Sequence, residues 1–474
     1  MDGEKLLVQP VESHQPASEP ATRPEEARVV RPVRNQVAFV MEELDALVPE
    51  DHIVRGIWAF LERLDLSDFY AAIRAVPGRP GRPASDPMVL LALWLYATVE
   101  GVGSARGLAR LCEEHDGFRW LRGGVPVDYH LLSDFRRDHE KALDDLLSQI
   151  IAVLMDAGLV KLKEVAQDGM RVRANAGSGS FRRQGRLEQF LEKAEAQVKR
   201  LTQEREHPDT GVSKRKRAAR ERAARERKER VEHALRELPA VQAAKERQAK
   251  RAGKARRAKL NEPRVSTTDP EARVMKMPDG GFRPAHNVQL ATDVESQVIL
   301  GVDVINRGTD QGEALAMEEQ VARRTGCHPG AYLIDGGYVD LEQIETLEGN
   351  GVRVYAPPKE RKDGQPVSWE PGTTPPVQAW RERMESEEGK AIYRHRASSA
   401  ECVNALARER YGLQRFRVRG LAKATCAVLL LVITHNLLRW GSLTAWPLQG
   451  SGPEAPNSAK TAPNGPKPLW CDPH

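Results

Sequence analysis

The chain has 474 residues, of which 40% are hydrophobic and 29% are charged, and its net charge is +5. This length predicts two or three domains, and the apolar content is enough for a sizeable core. Five scattered cysteines without a CxxC pair argue against a disulfide scaffold or a zinc ribbon and fit a reducing cytosol. No apolar signal region begins the chain, and residues 424–434, the most apolar stretch, fall short of the roughly 20 residues of a membrane span. We therefore expect a cytoplasmic protein that makes no membrane contact.

The first part of the chain is predicted to be a tail followed by helices. Residues 1–35 are rich in Pro, Glu and Arg without periodicity, which predicts disorder. Residues 36–160 have a helical pattern, in which Asp86-Pro87 opens a strongly apolar helix over 88–99 with proline at its first position. Short helices separated by tight turns follow and are compatible with a helix-turn-helix. We expect an all-α N-terminal domain.

Several arginines of this helical region could reach DNA phosphates. They are Arg106, Arg110, Arg119, Arg136 and Arg137. The alternative is an ordinary all-α domain whose arginines are only solvated, and the pattern by itself leaves both interpretations open.

From residue 161 to residue 446 the pattern alternates between strands and helices. Short apolar runs with strand character occur at 165–174, 286–294, 298–305, 331–335 and 352–356. Helical patterns at 310–324 and 341–348 separate the later runs. Mixed segments of this kind predict an α/β core with helices packed on the sheet.

A basic insertion interrupts this core over residues 182–260. It carries 26 Lys and Arg against 12 Asp and Glu, and its pattern predicts a helical hairpin whose second helix ends at Pro239. The local excess of positive charge indicates contact with a polyanion. The alternative is a solvated, salt-bridged helix pair that binds nothing. Residues 357–390 are predicted to be a loop insertion and residues 447–474 a disordered tail.

Two aspartates each end an apolar run and precede a glycine, namely Asp168 and Asp335. A carboxylate at the end of a buried strand is a hard oxygen ligand suited to Mg²⁺. Asp293 and Asp303 also end apolar strand-like runs, so the local pattern alone does not exclude them. On a later predicted helix, Glu401 could complete a set of three. Three carboxylates in a chain with a basic insertion suggest two-metal phosphoryl transfer on nucleic acid.

Around Glu401 the chain resembles a known family. Tyr393, Arg396, Glu401 and Arg408 are similar to the Tyr-x2-Arg-x3-Glu-x6-Lys signature of DDE transposases of bacterial insertion sequences. The gap from Arg to Glu is one residue longer than in the signature, and arginine replaces its lysine. The resemblance covers about residues 36–440. It extends to the segments 266–273, 287–289 and 335–338, and to the N-terminal segments 86–87, 103–106, 118–121 and 135–136.

The resemblance implies a ribonuclease-H-like mixed sheet with flanking helices, here interrupted by the basic hairpin between the first two acids. It implies that Asp168, Asp335 and Glu401 are catalytic and bind two Mg²⁺ ions, with Mn²⁺ as a substitute, and it assigns Asp293 and Asp303 to structural roles. The residues it places against DNA are Tyr393, Arg396 and Arg408 in the core, with Arg106 and Arg136 in an N-terminal DNA-binding domain.

The implied function is that of a transposase, which cleaves the ends of an insertion sequence and joins them to target DNA by two-metal hydrolysis and transesterification. Its partners would be double-stranded DNA with terminal inverted repeats and a second copy of the chain, at the nucleoid. Two alternatives are a catalytically silent DNA-binding protein derived from a transposase and a Mg²⁺-dependent nuclease without strand transfer.

Overall fold

The computed structural model describes residues 41–71, 73, 75, 83–206, 213–251, 262–358 and 374–444. The predicted disordered segments 1–35 and 447–474 therefore lie outside the described residues. All elements below belong to one compact unit that begins at Leu44. The chain is of mixed α/β class.

Helices occupy the described chain up to Asp156, in agreement with the sequence pattern. They are α1 (Ile53–Leu61), α2 (Ser67–Ala71), α3 (Pro87–Val99), α4 (Ala105–Glu114), α5 (Asp116–Arg122), α6 (Tyr129–Asp138) and α7 (Glu140–Asp156). Helix α3 begins where the sequence predicts, because the Asp86 side chain accepts a hydrogen bond from the Met88 N–H at 2.8 Å. Its residues are apolar on every side, so α3 lies inside the fold.

Eight strands lie in the described residues after α7. They are β1 (Glu164–Arg173), β2 (Phe181–Arg182), β3 (Val265–Ser266), β4 (Arg273–Lys276), β5 (Phe282–Asp293), β6 (Ile299–Ile305), β7 (Ala331–Leu333) and β8 (Arg353–Tyr355). The main sheet runs β4-β5-β1-β7-β8, with β6 also paired to β5. Strand β1 is antiparallel to β5 and parallel to β7, and β7 is parallel to β8. Strand β1 is therefore at the centre of a mixed sheet.

Helices cover this sheet. They are α10 (Ala314–Thr325), α11 (Leu341–Gly349), α12 (Pro375–Glu385), α13 (Glu387–Arg396), α14 (Cys402–Glu409) and α15 (Leu421–Thr444). A π-helical turn, Ala397–Glu401, joins α13 to α14.

Part of the predicted loop over 357–390 is wrong, because α12 and the start of α13 occupy residues 375–390. Val377, Trp380 and Met384 recur at helical spacing and are buried, and the Trp380 indole N–H donates to the Ala356 carbonyl at 3.1 Å. Tertiary burial therefore outweighs the loop-like composition of this segment. Residues 359–373 lie outside the described part.

The basic insertion forms a helical hairpin of α8 (Gln184–Glu206) and α9 (Lys214–Arg251), between β2 and β3. The prediction that its second helix ends at Pro239 is wrong, since α9 continues through that exposed proline. Its continuation is held by packing: a small hydrophobic cluster contains residues on both sides of Pro239, namely Leu187, Val231, Ala234, Leu238, Val241 and Val265. An ion pair between Arg273 and Glu237 further anchors the base of the hairpin to β4.

The last helix, α15, connects the two halves of the fold. It packs against α3, α6 and α7 as well as β6. The Asn436 side chain accepts from the Ile299 N–H and donates to the Ile299 carbonyl, both at 2.8 Å, so it acts as a short strand partner for β6. This helix is long and apolar enough to cross a membrane, but two thirds of its apolar stretch is buried within the fold. One hydrophobic cluster, from Val48 to Leu437, therefore spans the N-terminal helices and the sheet.

Candidate active site

Asp168 lies on the central strand β1, and its carboxylate is held by three donors. It accepts hydrogen bonds from the Arg396 guanidinium at 3.0 Å, from the Asn404 amide at 2.9 Å and from the Gly169 N–H at 2.9 Å. Burial raises the pKa of Asp168, while Arg396, Gly169 and Asn404 oppose that rise. The side chain is 18% exposed, so this carboxylate faces the site from a largely buried position.

The glycine after Asp168 is required by the packing of the sheet. A Cβ atom at Gly169 would lie 2.6 Å from Oδ1 of Asp310 and closer still to the amide of Gln289. Both neighbours are held in place by hydrogen bonds, so neither can move away easily. The Asp-Gly pair in the sequence therefore reflects close approach of β5 and of the chain around Asp310.

The π-helical turn brings Arg396 and Glu401 together. In a regular α-helix, residues five apart point about 140° away from each other. The wider turn over Ala397–Glu401 reduces this angle, and the Arg396 guanidinium donates to the Glu401 carboxylate at 2.7 Å. The wider turn therefore accommodates the extra residue between Arg396 and Glu401. Arg396 forms ion pairs with Asp168 and Glu401 at once.

Asp335 follows the short strand β7, next to β1, and accepts a hydrogen bond from the Gly337 N–H. The charge of Asp335 acts on the side chains of Arg396 and Tyr393, as do the charges of Asp168 and Glu401. Burial lowers the pKa of Arg396, but Asp168, Tyr393, Glu401 and Asp335 raise it to a net value above the ordinary one. The pKa of Tyr393 is raised by burial and then by these same three carboxylates, with Arg396 opposing. Asp168 and Glu401 thus pair directly with Arg396, while Asp335 acts on Arg396 and Tyr393 through its charge.

The donor set is chemically suited to a divalent cation. Carboxylate oxygens are the ligands that Mg²⁺ prefers, and the Arg396 guanidinium already stands as a cation among them. Within the described residues, however, no three acidic, histidine or cysteine side chains are close enough to hold a metal ion as they stand. Arg396 and Asn404 bind the Asp168 oxygens that a metal would use. The residue types suit such an ion, but in the present arrangement the Arg396 guanidinium pairs with Asp168 and Glu401.

A buried network of amides and tyrosines lies beneath the site and was not predicted from the sequence. Gln289 accepts from the Tyr338 hydroxyl and from the Gln167 amide, the latter at 3.0 Å, and donates to Asp310 at 2.8 Å. Gln167 also accepts from Tyr332 at 2.8 Å. The network ties the turn that carries Asp335 to the strand that carries Asp168. The resemblance marked segment 287–289, and strand alternation alone could have placed Gln289 on one face.

The two other candidate aspartates accept hydrogen bonds from residues one to three positions further along the chain. Asp293 accepts from the N–H and hydroxyl of Ser296 at 2.9 and 2.7 Å. Asp303 accepts from the Val304 N–H at 2.7 Å. The Asp293 contacts shape the turn between β5 and β6, whereas Asp303 lies within β6, and the structural roles assigned to both residues stay predictions.

The remaining predicted DNA contacts differ in their exposure. Arg106 is exposed, with its guanidinium 4.9 Å from the Tyr129 ring centroid. Arg408 is partly exposed and forms no ion pair with any described residue. Arg136 is only 7% exposed and donates to the Gly103 carbonyl at 2.7 Å. The other three arginines pair with neighbouring acids: Arg110 with Glu114, Arg119 with Asp116, and Arg137 with Asp134 and Asp138.

Comparison with known protein families gives two matches. A model described as a transposase domain (DUF772) matches residues 42–138, and a model described as a transposase DDE domain matches residues 358–440. The second range contains Arg396, Glu401 and Asn404. No match was found among curated proteins or among solved structures. The two family matches support a DDE transposase of an insertion-sequence type, which is a DNA-cutting and DNA-joining enzyme.

Proposed function

We propose that this protein is a transposase that cleaves the ends of an insertion sequence and joins them to target DNA at a site formed by Asp168, Asp335 and Glu401. The observation that carries the proposal is the position of Arg396. Its guanidinium pairs with Asp168 and Glu401, and the charge of Asp335 also raises its pKa. Asp168 and Glu401 lie far apart in the sequence yet meet at Arg396, and the charge of Asp335 reaches the same guanidinium.

The sheet supports a ribonuclease-H-like core for this function. Strand β1 has an antiparallel neighbour on one side and parallel strands on the other, with helices packed on the sheet. Asp168 lies on β1, and Asp335 follows the parallel neighbour β7. This is a placement from which two carboxylates can act on one phosphate.

In this proposal the three acids hold two Mg²⁺ or Mn²⁺ ions. When bound, such ions supply an activated oxygen nucleophile and stabilisation of the leaving oxygen. The side chains of this chain orient the site: Asn404 and the Gly169 N–H fix the Asp168 carboxylate, and the Gln289 network fixes the turn after Asp335. Tyr393, Arg396 and Arg408 are proposed to contact the DNA end.

The start of helix α9 offers a further DNA contact. Lys214, Arg215 and Lys216 are exposed, and none of them forms an ion pair with a described residue. Positive charge at a helix N-terminus is unfavourable for the helix itself, and no acid lies in that first turn. DNA phosphates would neutralise the positive charge of these three side chains. We also propose that the N-terminal helices, including Arg106, contact the terminal repeats and that two copies act together.

The decisive experiment measures Mg²⁺-dependent nicking of a duplex that carries the element's end. Asp335→Asn keeps the size of the side chain but removes its charge, so cleavage should fall by at least about a thousandfold. Binding to the same duplex should remain. Asp303→Asn is the matched control, since the described hydrogen bond of Asp303 is with the Val304 N–H, and it should cleave normally.

The outcomes separate the candidate functions. Normal cleavage by the Asp335→Asn variant would remove Asp335 from the site. Binding of ends without any cleavage by the wild-type chain would indicate a silent DNA-binding protein. Cleavage without a joined donor–target product would indicate a nuclease that lacks strand transfer.

A further inference from the structure

A small cavity lies between the N-terminal helices and the segment that leads into α15. Its volume is about 100 Å³, and its walls include Trp94 and the Gly101–Gly103 turn on one side and residues 411–413 and 415–418 on the other. The two walls meet backbone to backbone, since a Cβ atom at Gly412 would lie 3.1 Å from the Gly101 carbonyl. One water needs roughly 10–15 Å³ of such space, so the cavity has room for a larger polar ligand.

The buried charged side chain that lines this cavity is Arg136. Its guanidinium lies 4.3 Å from the Trp94 ring centroid and donates one hydrogen bond, to the Gly103 carbonyl at 2.7 Å. Its Nε atom is buried without a hydrogen-bond partner, and no described carboxylate pairs with it. Burial lowers the pKa of Arg136 to about 10, which leaves it charged near neutral pH.

Two more arginines line the same cavity from its exposed side. Arg415 and Arg417 are exposed, and neither forms an ion pair within the described chain. Among the described residues, the cavity lining contains no aspartate or glutamate. Three arginines without a described countercharge thus give the cavity a positive local field.

A buried charge without a partner is strongly unfavourable, and proteins normally pair such groups. The ring of Trp94 and one carbonyl compensate the guanidinium only in part. An anion in the cavity would satisfy Nε and supply the missing countercharge. Planar guanidinium groups are well suited to the tetrahedral oxygens of phosphate.

We propose that this cavity binds a phosphate-type oxyanion between Arg136 on its buried side and Arg415 and Arg417 on its exposed side. Its source is either a backbone phosphate of bound DNA, which rests on the proposed function, or free inorganic phosphate. The site is distinct from Asp168, Asp335 and Glu401, none of which lines the cavity.

The first arm of the test uses inorganic phosphate and the full-length protein without DNA. Phosphate should raise the melting temperature of the wild-type protein above that seen with chloride at equal ionic strength. Arg415→Gln/Arg417→Gln should weaken phosphate binding by roughly tenfold or more, because two charged donors are lost. Both side chains are exposed, so this variant is expected to fold. Arg419→Gln, exposed but outside the cavity lining, is the control and should bind as the wild type does.

Arg136→Lys addresses the buried group, since it keeps the charge but removes the planar fork, and it should also weaken phosphate binding. If that variant does not fold, the exposed pair still decides the question. Equal phosphate affinity in the wild type and the Arg415→Gln/Arg417→Gln variant would overturn the proposal, as would absence of any phosphate effect combined with unchanged DNA binding.

The second arm distinguishes the two sources by measuring affinity for duplex DNA against salt. If the anion is a DNA phosphate, the Arg415→Gln/Arg417→Gln variant should lower the slope of log affinity against log salt by about one. An unchanged slope with weakened phosphate binding assigns the cavity to free phosphate. Since the first arm contains no DNA, a positive result there stands even if the protein neither cuts nor joins DNA.

Discussion

At the scale of single residues, Glu313 is a buried acid whose ionisation should be visible in stability. It is 5% exposed and pairs with Arg307 at 2.6 Å. Burial raises its pKa to about 7, and Arg307 offsets this only in part. A folded pKa above the unfolded one means that the folded state holds the proton more tightly. The proton on Glu313 therefore stabilises the folded state. This contribution to the free energy of unfolding is complete below about pH 4.5 and is lost as the pH rises through 7.

Glu313→Gln should therefore flatten the dependence of stability on pH. Between pH 5 and pH 8 the wild-type free energy of unfolding should fall by up to about 3 kcal/mol more than that of the variant. Urea denaturation at several pH values measures this difference. Glu319→Gln, on the exposed face of helix α10, which begins directly after Glu313, is the control and should keep the wild-type slope. Parallel slopes for all three proteins would show that Glu313 does not titrate in this range.

At the scale of elements, the π-helical turn predicts tolerance to a deletion. Removing one serine of the pair Ser398-Ser399 shortens the Arg396-to-glutamate spacing from five residues to four. A regular α-helix then keeps both side chains on one face. The deletion variant should retain its fold, and its cleavage activity should stay within roughly tenfold of the wild type.

The matched control deletes Ala405, which lies in the regular helix α14, where no wider turn can absorb the change. Buried residues after it, such as Ala407, lose their register, and the melting temperature should fall, with at least roughly 2 kcal/mol of lost stability. Circular dichroism and the nicking assay compare the two variants. If the serine deletion were as damaging as the Ala405 deletion, the turn would not be what aligns Arg396 with Glu401.

The basic hairpin gives a second prediction at this scale. Changing Lys214, Arg215 and Lys216 to glutamine should reduce the salt slope of DNA binding by up to about 2.7, that is about 0.9 for each lost phosphate contact. The control neutralises three basic residues of the same helix that already pair with acids, namely Arg225, Lys228 and Arg230. Fluorescence anisotropy against salt measures both. Equal slopes for the two triple variants would assign no DNA contact to the start of α9.

At the scale of the whole molecule, the hydrophobic clusters predict which parts can be removed. The N-terminal helices share one cluster with the sheet, whereas the hairpin has its own. Deleting residues 41–156 would expose α15 and should yield insoluble protein. Replacing residues 183–264 by an Asn-Gly turn between β2 and β3 should leave a folded protein, since these strands are already paired. Soluble expression and thermal melting test both deletions. A soluble, folded product of the first deletion would contradict the shared core.

Much of this architecture could be predicted from the sequence because local patterns carry it. Proline after Asp86 marks the start of α3, and apolar runs before Asp168 and Asp335 mark β1 and β7. The catalytic and metal-binding roles of the three acids stay predictions, and so does the boundary between domains near residue 160.

Other features depend on contacts that no local pattern contains. Gln167 and Gln289 meet only because β1 pairs with β5, more than 100 positions further along the chain. The burial of Arg136 depends on α15. The composition of residues 375–390 does not predict α12, because Trp380 is buried only through its packing beside β8. The π-helical turn depends on the pairing of Arg396 with Glu401 at its two ends.

The position of α15 has a consequence for synthesis. The N-terminal helices emerge from the ribosome well before α15, yet their apolar faces pack against that helix. Their packing is therefore incomplete until α15 has been translated. During that interval α3, with Leu91, Leu93 and Leu95, exposes apolar surface that is buried in the finished fold, and such surface favours aggregation or chaperone binding of the nascent chain.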